Sequence, residues 1–228
     1  MLGTNTTILP LTELNALAAG LFLLTAFGLI ATRQVLACLR TFVIQVVLLA
    51  ISAFLLGCQN ASNELFVVGG ITLAVKAVLL PWLLFGRLGN ELRSRREISQ
   101  ALNIPMSLLI SLILVIFAYF VSVPLLKAAP LGGAASVNLP IGLAGLLLGA
   151  YAMTVRREAI PQVIAILSME NGAFFAGISI APNLPLIAEL AAAFELLIIA
   201  RVMGILVMKV HEHIGTTAVG EIAALIEE

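Results

Sequence analysis

Charge is what this sequence has least of. Lysine, arginine, aspartate and glutamate make up 11% of its 228 residues, against about 25% in a typical soluble domain. The few charges cancel, 12 basic against 12 acidic, and no basic tract is long enough to hold nucleic acid. Cysteine is scarce too. Cys38 and Cys58 fall near opposite ends of one expected span. At about 1.5 Å per residue they stand about 30 Å apart, which excludes a disulfide between them. His211 and His213 have no cysteine or aspartate nearby to complete a metal site. The sequence has no CxxC, no GxGxxG after a strand and no histidine pair within the apolar runs. Catalysis by a nucleophile, a nucleotide, a metal or a haem therefore has no support. The N-terminus also lacks the basic flank and small-residue cleavage site of a secretory signal, so the first apolar run is expected to be retained.

What is present is apolar length. Hydrophobic residues make up 61% of the chain, and its mean hydropathy is +1.15. Runs of about 20 such residues suffice to cross a hydrocarbon core. Seven fit, at roughly 11–31, 35–57, 64–86, 105–126, 137–155, 159–180 and 184–210. The expected fold is all-α, a polytopic membrane helix bundle. Its connections alternate in charge. Arg33 lies in the first, Arg87, Arg93, Arg95 and Arg96 in the third, and Arg156 and Arg157 in the fifth. The second and sixth have neither lysine nor arginine, and the fourth has only Lys127. The positive-inside rule then puts the N-terminus outside and the C-terminus in the cytoplasm. Residues 91–100 form a short charged cytoplasmic segment, and the tail from Thr216 is expected to be a short amphipathic helix.

Ionisable side chains inside spans are costly, about 2.5–3.5 kcal/mol each on insertion scales, and mark function by default. Glu170 lies near the middle of the sixth span and Glu195 near the middle of the seventh, at similar depth on neighbouring antiparallel helices. Desolvation disfavours a charged carboxylate, which brings its neutral and charged forms close in energy near pH 7. Two such groups at one depth can exchange a proton directly or through a short file of water. Lys76 in the third span and Arg201 in the seventh make four ionisable groups in three spans, more than packing requires. They outline a polar axis. Glu189 either closes this axis toward the outside or simply reaches interfacial water. Lys209, fourteen residues after Glu195, returns to nearly the same helix face and either carries the axis toward the cytoplasm or snorkels. Asn171 is placed to hydrogen-bond across a helix interface, and Gln45 and Arg40 to extend the polar line.

One resemblance joins these residues. A helix opening on Arg156-Arg157 and carrying ILSMENGAFF, then one carrying AAAFELLIIARVMGILVMKVHEH, resembles the NuoK/MrpC family of respiratory complex I and its antiporter relatives. Glu170 and Glu195 match the two buried glutamates of that family. The longer seven-span arrangement with SMENG and FELLIIARVMG is similar to the HyfE (hydrogenase-4 component E) family. The resemblance implies a four-helix region over 1–130, a NuoK/MrpC-like three-helix region over 131–215 and a C-terminal tail over 216–228. It implies a subunit of a group 4 [NiFe] hydrogenase of the formate hydrogenlyase type in a bacterial cytoplasmic (inner) membrane. Its partners would be antiporter-like membrane subunits, a membrane anchor subunit and a peripheral hydrogenase arm. The [NiFe] centre and iron-sulfur clusters would sit in those partners, and this chain would hold no cofactor. Its own part would be proton translocation or lateral coupling. A structural or assembly subunit without ion conduction is the alternative. A stand-alone secondary transporter is a further one, and would need broken helices for which Pro81 and Pro124 are the only candidates.

Overall fold

A computed structural model of the chain describes residues 5–82, 100–128 and 133–180. The expected seventh span, the tail and most of the charged segment at 91–100 lie outside the described residues. Among these residues the chain is helical: α1 (Asn5–Ala31), α2 (Val35–Asn60), α3 (Asn63–Trp82), α4 (Ile104–Ala128), α5 (Gly133–Val155) and α6 (Ala159–Ile180). All six are long and apolar enough to cross a membrane. The sequence therefore encodes a multi-pass membrane protein. Apart from the start of α1, six residues before the expected one, the described helix ends fall within a few residues of those expected from hydropathy. In α3 the backbone is α-helical over Asn63–Thr72 and widens to a π-helix over Leu73–Leu79, the segment that carries Lys76.

Successive helices cross in alternate directions. At one end the last turn of α1, the last turn of α5 and the approach to α4 meet. Gln100 Nε2 donates to the Ile30 carbonyl at 3.0 Å, and the Ala101 amide to the Val155 carbonyl at 2.9 Å. At the other end, where α1 begins (the N face), α2 turns into α3 through Ala61. Its φ of 49° and ψ of 37° let the Ala61 and Ser62 amides cap the Gly57 carbonyl.

The closest packing is between α5 and α6, and glycine makes it possible. A Cβ on Gly149 would lie 2.5 Å from Met169 Cα, and one on Gly142 would lie 2.8 Å from Ala176 Cα. Gly145 faces Gly172, whose own Cβ would fall 2.5 Å from the Gly145 carbonyl carbon. Lipid tails are as apolar as leucine, so membrane helices associate through such close approach and not through a hydrophobic drive. The outward face of α4 makes the same point. Leu109, Leu112, Ile116 and Phe120 are exposed, whereas its buried residues are Ser107, Ser111, Ala118 and Ser122. Many large apolar side chains of α4 face outward, while Leu114 and Val115 join the small and polar residues in packing against the bundle.

The opposite face holds a buried cation. Arg156, counted with Arg157 in the basic fifth connection, is buried, and Arg157 is exposed. The Arg156 guanidinium turns inward and donates to the Leu29 carbonyl, capping the C-terminal end of α1 where helix carbonyls lack partners. Its own carbonyl accepts from Gln162 Nε2 at 2.7 Å. Arg156→Ala is expected to cost about 1–3 kcal/mol, the penalty for leaving a buried polar group without its donor. Titration with a denaturing detergent, followed by circular dichroism, measures it; an unchanged midpoint would overturn the capping role.

Candidate functional site

Mid-depth in the bundle, Lys76 Nζ and Glu170 Oε1 stand 2.9 Å apart. Glu170 lies eleven residues from Ala159 and ten from Ile180, so about 15 Å of helix separates it from either end of α6. The lysine comes from the π-helical part of α3, where the wider coil changes the angular position of each side chain. Its ammonium also donates to Asn171 Oδ1 at 3.2 Å and sits 5.7 Å from the centroid of the Phe174 ring. Asn171 Nδ2 in turn donates to Gln45 Oε1 on α2 at 3.4 Å. Three helices thus contribute one polar chain, Gln45–Asn171–Lys76–Glu170. The two ends differ in access: 6% of the Lys76 side chain is exposed and 24% of that of Glu170.

Pairing explains why these charges persist. An isolated ammonium or carboxylate in low dielectric costs several kcal/mol, and a close counter-ion with further hydrogen bonds offsets much of it. Such a pair has two low-energy forms, ammonium with carboxylate and amine with carboxylic acid, separated by the transfer of one proton. Protonation of the carboxylate from outside the pair releases the lysine. That is the chemistry this arrangement offers.

The sequence-derived candidates divide sharply. Lys76 and Glu170 are brought together, and Asn171 and Gln45 join them. Arg40 is exposed one turn into α2, away from this chain of contacts. Glu195, Arg201, Glu189 and Lys209 lie outside the described residues, so the expected proximity of Glu170 and Glu195 has no geometry to report. Among the described residues no cluster of histidine, cysteine, aspartate and glutamate has the makings of a metal site.

A second polar cluster lies nearer the N face. Asn15 Nδ2 donates to Asn138 Oδ1 at 2.9 Å, Ser52 Oγ to Asn15 Oδ1 at 2.7 Å, and Asn138 Nδ2 to Ser52 Oγ at 3.2 Å. All three residues are fully buried, on α1, α2 and α5. Sequence reasoning missed them because none is ionisable. The available signal was spacing: Ser52 follows Gln45 by seven residues, and so shares its helix face.

A multi-pass helical membrane protein with a buried ion pair at mid-depth is the class that these features define. Over 198 residues the chain is 30% identical to uncharacterized protein Rv0085 of Mycobacterium tuberculosis, an alignment covering 87% of this chain and 89% of that protein. It belongs to the same family as that mycobacterial protein. No family model and no solved structure matches it.

Proposed function

We propose that this chain is a membrane subunit of a complex I-related, energy-converting hydrogenase of the formate hydrogenlyase type, and that its Lys76–Glu170 pair takes part in proton translocation or lateral coupling. The observation that carries this reading is the ion pair itself, 2.9 Å long at mid-depth and tied through Asn171 to Gln45. The resemblance of ILSMENGAFF and FELLIIARVMG to HyfE and NuoK/MrpC supplies the setting. Within it, Glu195 and Arg201 extend the axis beyond Glu170, with Glu189 and Lys209 toward its two ends. Antiporter-like subunits, a membrane anchor subunit and a peripheral hydrogenase arm are the partners, and they hold the [NiFe] centre and iron-sulfur clusters. The membrane is a bacterial cytoplasmic one, with the N face outside. Exposed Arg33, Arg40 and Arg157 toward the opposite end favour that orientation by the positive-inside rule.

Purification in mild detergent is the first test. Hydrogenase and antiporter-like subunits are expected to accompany the chain, and its purification alone would sink the reading. Glu170→Gln is the second. The complex is expected to assemble while proton-coupled turnover falls by roughly a hundredfold, the low end of what a positioned proton-transfer group contributes. Normal coupling in that variant would overturn the role. One observation favours an assembly subunit instead: the same ion pair fastens α3 to α6 and would serve as a staple without carrying a proton.

A further inference from the structure

Along α2, polar side chains recur at every seventh residue: Cys38, Gln45, Ser52 and Gln59. Seven steps of about 100° bring each back to nearly the same face, and each rung lies about 10.5 Å from the next. Every rung meets a polar partner from elsewhere in the fold. The Cys38 thiol lies against the Arg156 guanidinium, and Gln45 accepts from Asn171. Ser52 closes the ring with Asn15 and Asn138, and Gln59 Nε2 donates to Thr12 Oγ1 at 3.2 Å. The file spans the described bundle from face to face and passes the ion pair at its second rung.

Its two halves differ. Toward the opposite face the next rung carries a fixed cation, buried Arg156, behind a layer of Leu39, Phe42, Ile164 and Leu167. A fixed positive charge in a dry layer repels a proton, as in pores that exclude cations. Toward the N face the rungs are neutral donors and acceptors. There the interval between Gln45 and Ser52 is sealed by Leu49 and by Phe22 and Phe175, whose rings stack at 4.4 Å. About three waters at hydrogen-bond spacing would fill that interval. Gln45 Nε2 is fully buried and has no hydrogen-bond partner among the described residues, leaving a donor for the first of them.

We propose that the seven-residue polar file of α2 is a half-channel joining the Lys76–Glu170 pair to the N face, with the Phe22–Phe175 stack as its gate and the proton as its cargo. A proton passes from hydronium along water to the Glu170 carboxylate, leaving water behind and a carboxylic acid that no longer holds Lys76 as a counter-ion. This deepens the reading of the pair as a proton-transfer site and rests on it.

The test uses the full chain in sealed proteoliposomes with Cys38 and Cys58 replaced by serine, probed with a membrane-impermeant methanethiosulfonate cation on one face at a time. Ser52→Cys is expected to react from the N face. Gln45→Cys is expected to react from that face only when the stack is opened by Phe22→Ala, or by Phe22→Leu should alanine prevent folding. The expected gain in rate is at least about tenfold, as for wetting of a hydrophobic gate. Equal reaction of Gln45→Cys from both faces, or none in either folded Phe22 variant, would overturn the half-channel. The labelling does not depend on turnover. Access from the N face alone therefore supports the route even if Glu170→Gln proves active, and the two readings fail separately.

Discussion

Gly172→Leu is expected to separate α5 from α6 and to leave the chain unable to form its ion pair. Any Cβ at position 172 would fall on the Leu146 amide nitrogen, 2.5 Å from the Gly145 carbonyl carbon and 2.9 Å from the Gly142 carbonyl oxygen. These are backbone atoms, so no side-chain rotation relieves the clash and the helices themselves must move. Overpacking a core costs about 1–3 kcal/mol where side chains can shift, and this site belongs at or above the top of that range. Glu170 and Asn171 are the residues just before Gly172, so a displaced α6 draws both away from Lys76 and Gln45. Loss of folded protein, read by detergent-titration unfolding and by yield from the membrane, is the expected result. Gly20→Leu is the control. It lies in the middle of α1, where a Cβ has no neighbour within 4 Å among the described residues, and it is exposed among them. Equal losses in the two variants would show that helical glycine as such matters, and not the α5–α6 contact.

The legible parts of this chain were those governed by one residue's cost in lipid. Six of the seven apolar runs fall on described residues and announce six helices there, because unpaired backbone groups are not tolerated in hydrocarbon. Lys76 and Glu170 stand out because a charge there needs a reason. Their pairing was not legible. The two residues lie far apart in sequence, and nothing local to either one specifies the other. The short turn that joins their helices points from Glu170 to Glu195, which lies outside the described residues, and gives no sign that Lys76 of α3 also reaches Glu170. The capping role of Arg156 was not legible for a related reason. Only the fold brings the carbonyl end of α1 within its reach. The glycines of α5 show no special periodicity until α6 supplies the opposing Gly172 and Ala176. The polar file of α2 was legible in principle. Four polar residues at strict intervals of seven are a pattern in the sequence itself, hidden by the greater attention that charged residues draw.

Removing one member of the ion pair and removing both are expected to give opposite results. Lys76→Met removes the ammonium that stands 2.9 Å from Glu170, and breaking a buried pair from one side costs about 3–5 kcal/mol. That loss is a large share of the roughly 5–15 kcal/mol that holds a typical domain folded, so a clearly lower unfolding midpoint is expected. Lys76→Met combined with Glu170→Met replaces both charges by side chains of similar length, and such replacements are about neutral or stabilising by about 1–4 kcal/mol. Unfolding midpoints of the two single variants and the double variant give the coupling directly. A Lys76→Met chain as stable as the parent would mean that the 2.9 Å contact does not hold α3 to α6. The double variant then separates the two proposed roles. An assembled complex with full proton-coupled turnover would make the pair a staple, since an apolar contact would serve as well. An assembled complex that has lost coupling would leave proton transfer as the pair's function, because two methionines can fasten helices but cannot exchange a proton.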